Sequence, residues 1–264
     1  MNQLKTAAII VVALFSVSSS AVSAGEPSTP AQSHPLDAVI PWAEIAQQET
    51  EKVQDYTAKL IKREQVSGQL QEYQHIQIKV RHRPLSVYLK FMGPSSLAGR
   101  EVLYVDGRNN GMLLAHDPRG VGKLVGTVAL APDGPIAMWG QRYPLTMIGM
   151  KNLGQKLIEQ AKWSRQVNLP CEIKWYRGAK INGRSTQGIE VRYSEQHQDI
   201  PFAMARVFID DELKLPIRYE GYSWPETGGG KPVLVEEYTY SCIKLNVGLT
   251  DWDFDPQNPH YNLR

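Results

Sequence analysis

Few side chains in this sequence have both the type and the spacing to do chemistry. Its six histidines are His34, His75, His82, His116, His197 and His260. None forms the H-E-x-x-H spacing that sets two imidazoles on one helix face for zinc. His75 and His82 share an alternating apolar stretch, but seven positions apart they turn to opposite faces of a strand. There is no G-x-S-x-G nucleophile turn, phosphate-cradling glycine loop or dinucleotide fingerprint. The run Asp106–Gly111 (DGRNNG) lacks the alternating acids and closing glutamate of a calcium loop, and reads as a hairpin turn. Asp251, Asp253 and Asp255 alternate and could gather a cation. Trp252 and Phe254 between them read instead as anchors of a solvated acidic tail. These residues predict no catalytic centre, no metal site and no cofactor.

Three other groups carry physical information. Cys171 and Cys242 are the only cysteines. In an oxidising compartment such a pair predicts a disulfide closing a loop of about 70 residues, contributing roughly 4 kcal/mol in the chain-entropy account; two unpaired buried thiols are the alternative. Lys79, Arg81, Arg83 and Lys90 predict a basic outer face, either a docking surface for anionic groups or simply a wetted sheet. The stretch IAMWGQRYPLTMIGM, residues 136–150, holds three of the seven methionines and a tryptophan. Methionine is flexible and polarisable, suited to surfaces that accept varied apolar partners.

The elements that must position these groups are mostly strands. In YTAKLIKRE, Tyr56, Ala58 and Leu60 oppose Thr57, Lys59 and Arg63. In HIQIKVRHR, Ile76, Ile78 and Val80 oppose Gln77, Lys79, Arg81 and Arg83. In SVYLKFM, Val87, Leu89 and Phe91 oppose Ser86, Tyr88 and Lys90. This period of two predicts half-buried strands with one wet face, antiparallel because their connections are short. REVLYVD, GMLLAHD, KLVGTVALAP, CEIKWYRG, TQGIEVRYSE, FAMARVFID, LPIRYEGYSW and PVLVEEYTYSCIKLN continue the meander, with Asn182-Gly183 as a two-residue hairpin turn. The count is about ten strands.

Two helices interrupt them. Leu36, Val39, Ile40, Ala43 and Ala46 recur at helical spacing to about Val53, with Pro41 near the start. TMIGMKNLGQKLIEQAKW predicts an amphipathic helix from an N-cap at Thr146, placing Met147, Met150, Leu153, Leu157, Ile158 and Ala161 on one face. This insertion reads as either a fixed plug or a movable lid over the apolar side of the sheet.

The chain opens with Lys5, an apolar run Ala7–Val17 and the small residues Val22-Ser23-Ala24, the pattern of a cleaved secretory signal peptide over 1–24. A Pro/Ser-rich leader, 25–35, is predicted disordered. Residues 36–264 are predicted to form one domain. No later stretch approaches the roughly 18 apolar residues of a spanning helix. A formal net charge of +2 argues against general nucleic-acid binding.

FIDDELKLPIRYEGYSWP resembles the strand–turn–strand of the LolA/LolB-like superfamily of bacterial envelope proteins: Ile209-Asp210, an acidic turn, Leu215-Pro216-Ile217, then Glu220. LAGREVLYVDGRNNGMLLAH, RYPLTMIGMKNL and NVGLTDWDFDPQNPHYN resemble a narrower family of secreted bacterial proteins of unknown function, over roughly residues 36–262. The resemblance implies an α+β, mainly antiparallel fold: one strongly curved open sheet or half-barrel with helices across its concave apolar side. It also implies a periplasmic or extracellular location and a cavity for a lipid or a lipoprotein acyl chain. Some such relatives are envelope sensors, so a protein partner, with the cavity permanently filled, is the alternative. No individual carrier residue transfers. The residues expected on the cavity or its lid are Ile78, Val80, Leu89, Phe91, Met138, Trp139, Leu145, Met147 and Met150.

Overall fold

Alternation dictates the sheet. In the computed structural model, which describes residues 33–225 and 230–263, the twelve strands are β1 (Asp55–Val66), β2 (Gln69–Leu70), β3 (Gln74–His82), β4 (Leu85–Gly93), β5 (Glu101–Val105), β6 (Leu113–His116), β7 (Val128–Leu130), β8 (Cys171–Ile181), β9 (Arg184–Tyr193), β10 (Met204–Asp210), β11 (Pro216–Ser223) and β12 (Val233–Leu245). The helices are α1 (Leu36–Glu51), α2 (Gly120–Val125), α3 (Pro135–Met138) and α4 (Met150–Gln166). The expected signal peptide and most of the expected leader, residues 1–32, lie outside the described residues. Of the leader's last residues, His34 is buried, with Nε2 3.1 Å from the Leu169 carbonyl.

The sheet runs β7-β6-β5-β4-β3-β1-β12-β11-β10-β9-β8, every neighbour antiparallel, with β2 paired only to β1. Two meanders, β3–β7 and β8–β12, meet at β1. The fold is α+β with an open, curved antiparallel sheet. Asn182 and Gly183 both take positive φ, as the tight turn between β8 and β9 requires. One expected strand divides: Lys123–Val125 belong to α2, which Gly126 ends at φ +75°, and only Val128–Leu130 remain as β7.

The inner faces of β1, β3 and β4 follow the predicted pattern: Tyr56, Ala58, Leu60, Ile76, Ile78, Val80, Val87, Leu89 and Phe91 are all buried. The outer face does not stay wet. Ser86 and Tyr88 are buried because the C-terminal segment folds back over β4 and β5, packing Phe254, Tyr261 and Leu263 against Tyr88, Leu103 and Val105. The aspartates of that segment meet the basic face. Lys79 pairs with Asp253 at 2.9 Å, and Arg81 with Asp251 at 2.9 Å. Asp253 also accepts from the Thr250 backbone, capping the short 251–254 turn. Asp251 and Asp253 are therefore bound to the protein's own cations, while Asp255 accepts from the Gln257 backbone N–H at 2.8 Å.

The disulfide expected between Cys171 and Cys242 does not form; both cysteines are free. They lie on β8 and β12, with β9, β10 and β11 between them in the sheet. Four interstrand steps of about 4.8 Å exceed by far the roughly 7 Å that a disulfide spans between Cα atoms.

Helices α1 and α4 pack together across the inner face of β8–β10. Leu36 and Val39 join Ile189, Tyr193 and Leu169 in a buried cluster, with Ala161 and Trp163 of α4 against it. Ion pairs Lys162–Glu44, Lys151–Glu51 and Arg165–Asp37 tie the two helices together. A Cβ at Gly154 would meet Gln47 Oε1, the end of a flexible side chain on α1 that would have to turn aside. α4 starts four residues after the expected Thr146 cap. Leu145–Met147 form a separate 3-10 turn, and Gly149, at φ +111°, breaks the chain direction before the helix begins. The described residues from His34 onward form one compact unit.

Candidate functional site

The other half of the inner face borders a cavity. Between β1, β3–β7, β12 and residues 118–149 lies a cavity of about 830 Å³, within the range of small-molecule sites. Its apolar wall is Leu60, Ile76, Leu89, Phe91, Val102 and Leu113 on the sheet. Leu153 and Leu157 of α4 form a second side, so one helix both seals the packed half and borders the open one. Residues 136–149 form much of the remaining lining. Within residues 118–149, the side chains of Leu124 at 87% exposure, Trp139 at 86% and Ile136 at 70% stand in solvent. Trp139 and Ile136 also line the cavity.

The expected residues divide. Leu89, Phe91, Trp139, Leu145 and Met147 line the cavity. Ile78 and Val80 are buried one step further along β3, in the core around Tyr56. Met150 is fully buried in that same core, where the Gly149 break turns it inward. Met138 ends α3 beside the wall rather than on it; its neighbours Ala137 and Trp139 reach the cavity.

One pole of the cavity is polar. Along β1 the inward positions run Leu60, Lys62, Glu64; along β12 they run Tyr240, Tyr238, Glu236. The register places Leu60 opposite Tyr240, Lys62 opposite Tyr238 and Glu64 opposite Glu236. Lys62 Nζ donates to Glu64 Oε2 at 3.0 Å and to Gln141 Oε1. The Tyr238 hydroxyl donates to Glu64 Oε1 at 2.6 Å. From the covering segment, the Arg142 backbone N–H donates to Glu64 Oε2 at 3.2 Å, and the Tyr143 hydroxyl to Glu236 Oε2 at 2.9 Å. Arg142 Nε sits 2.8 Å from Glu236 Oε2, an ion pair that lacks the alignment of a hydrogen bond. Residues 141–143 are thus clasped onto β1 and β12 at the polar pole.

Burial raises the Glu236 carboxyl above the usual range, with the Arg142 charge and the Tyr143 hydrogen bond pulling the other way and Glu64 adding to the rise. Burial and then the Glu236 and Glu64 charges push the Tyr238 hydroxyl far above the usual phenol range. Sequence reasoning missed this pole, although its signal is present. The alternation that sets Tyr56, Ala58 and Leu60 inward continues without a break to Lys62 and Glu64. Two charges at the end of an inward series mark a place where the wall changes character.

The profile of a family described as a protein of unknown function (DUF1571) matches residues 53–263. The chain belongs to that family. No curated protein matches it. Solved structures similar to this DUF1571 chain include the lipoprotein LppX of Mycobacterium tuberculosis, at 14% identity and a TM-score of 0.46, covering 83% of this chain and 99% of that one. A putative outer membrane lipoprotein-sorting protein domain from Vibrio parahaemolyticus is similar at 12% identity and a TM-score of 0.38, covering 83% and 97%. MucB, in the Pseudomonas aeruginosa MucA/MucB complex, is similar at 13% identity and a TM-score of 0.45; the match covers 83% of this chain and 60% of that one. Among the described residues of the DUF1571 chain, no helix is long and apolar enough to cross a membrane.

Proposed function

We propose that this chain is an exported, non-catalytic binding protein that holds a lipid, a lipoprotein acyl chain or a similar apolar ligand in the cavity beneath residues 118–149. The cavity carries the reading. A cavity of about 830 Å³ walled by leucine, isoleucine, valine and phenylalanine presents apolar surface whose removal from water by apolar contacts is favourable, by roughly 25 cal/mol per Å². An alkyl chain supplies those contacts. The exposed Trp139 and Ile136 on the cavity lining fit the same role, as apolar groups that a ligand can meet from solvent. The signal-like residues 1–24 support export.

The second reading, an envelope sensor or interaction module whose concave side is filled by its own helix, is supported by the β8–β10 half alone, where α1 and α4 fill the space. Its basic docking face is weakened as a candidate, since Lys79 and Arg81 are already paired with the C-terminal aspartates.

Native mass spectrometry of gently purified protein tests the reading. A discrete adduct that is released on unfolding is expected. A homogeneous ligand-free mass, together with no uptake of a nonionic fluorescent alkyl probe, would overturn it.

A further inference from the structure

Each carboxylate, lysine and arginine on the cavity wall has an opposite charge beside it, and Asp117 has two, Arg100 and Arg119. On its wall, Lys62 lies 3.0 Å from Glu64, and Arg100 lies 2.7 Å from Asp117. Glu236 is met by Arg142 at 2.8 Å. Lys156, at the solvent side of α4, stands 3.7 Å from Glu159. Among the described residues these are the acids, lysines and arginines of the wall, and each has an opposite charge beside it. The other polar groups of the wall include Tyr143, Tyr238, Gln141 and Asn152, and His116 on β6, whose Nδ1 is buried without a hydrogen-bond partner. Lys62, Glu64 and Glu236 are nearly closed to solvent.

A charged group brought to the buried Lys62–Glu64–Glu236 pole gives up its hydration and finds the charges there already paired, which is costly. A hydroxyl, ester or amide gives up far less and meets tyrosine and amide partners. The same two strands carry the apolar wall and the polar pole, Leu60 leading to Glu64 and Tyr240 to Glu236, so an alkyl chain lying on one sets its head against the other. We infer that the cavity selects amphiphiles with an uncharged polar head, which rests at the Lys62–Glu64–Glu236–Tyr143 pole, and that the pairing of these charges discriminates against ionised heads. This rests on the reading of the cavity as an alkyl-binding site.

The inference makes the selectivity switchable. Removing one member of a pair leaves its partner uncompensated and available to a ligand of opposite charge. In Glu236→Gln the freed group is Arg142, and in Lys62→Met it is Glu64.

The test is calorimetric titration with three probes of one chain length, lauryl alcohol, laurate and laurylammonium, in wild type and both variants, with circular dichroism to verify folding. Wild type is expected to bind the alcohol at least about tenfold more tightly than either ion, a penalty modest for an unpaired buried charge. Glu236→Gln is expected to gain roughly tenfold for laurate alone, and Lys62→Met likewise for laurylammonium alone. Equal or tighter binding of an ion by wild type would overturn the inference, as would a folded Glu236→Gln with no gain for laurate. Should Lys62→Met not fold, wild type and Glu236→Gln decide. If none of the three probes binds wild type, the alkyl-binding reading itself fails, an outcome distinct from loss of selectivity.

Discussion

The inner face of this sheet has two halves built from the same alternating strands, and they end differently. Across β8–β10 the space is closed: α1 and α4 bury Leu36, Val39, Ile189 and Tyr193 against one another. Across β1 and β3–β7 the strands are as apolar, yet a cavity of about 830 Å³ remains under residues 118–149. The difference lies in what covers each half. A helix of 16 or 17 residues offers a continuous apolar face; α2 and α3 have six and four residues, with glycines at positive φ at 126 and 140, and cannot lay down such a face. One half is closed by its own helices; the other keeps room for a ligand beside a buried core of its own.

Truncation should separate them first. Leu36→Ala, at a fully buried position in the packed half, is expected to cost about 2–5 kcal/mol in urea unfolding, because the cluster cannot collapse around the void. Enlargement should then act in the opposite sense. Ala161→Trp, against the packed cluster, is expected to destabilise by about 1–3 kcal/mol. Ala115→Trp, on the cavity wall, should change stability by less than about 1 kcal/mol while abolishing uptake of a nonionic alkyl probe. Equal costs for the two tryptophans would remove the distinction between the halves.

A subtler contrast is in pH. Glu236, inside, has its carboxyl raised by burial, whereas Glu220, on the outer face of β11, is lowered on balance: burial opposes the shift, and the Tyr222 and Arg218 hydrogen bonds with the arginine charges outweigh it. A raised acid binds its proton more tightly when folded, so its ionisation costs stability as pH rises from the ordinary glutamate range through the folded value. The stability difference between wild type and Glu236→Gln should therefore move against wild type across that window and stay level elsewhere. Glu220 has the reverse sign: its contribution is complete above the ordinary glutamate range and is lost as pH falls through its folded value. Urea midpoints across pH for the wild type, Glu236→Gln and Glu220→Gln check both slopes. The smallest effect is expected at the half-exposed Lys79–Asp253 pair, where Asp253→Asn should cost at most about 1 kcal/mol in salt-sensitive stability.

Much of this was legible in the residues. Period-two alternation located the strands and the inward faces of β1, β3 and β4, and helical spacing located α1 and α4. Three features were hidden for physical reasons. The covering of the outer face by Phe254 and Tyr261 is a long-range packing event that no local period reports. The free state of Cys171 and Cys242 follows from three intervening strands, which spacing along the chain does not reveal. The polar pole assembles from β1, β12 and residues 141–143, and only the register brings Glu64 opposite Glu236. The inward direction of Lys62 and Glu64 could have been read; their partners could not.

The central claim is that the open half is a ligand site rather than a packing defect. Calorimetric titration of the purified chain with a long-chain alcohol at several temperatures, alongside Ala115→Trp, tests it most directly. The account predicts saturable one-to-one binding with a negative heat-capacity change, the mark of apolar burial, and its loss in the variant. An absence of saturable binding by the wild-type chain, or binding that Ala115→Trp leaves intact, would contradict it.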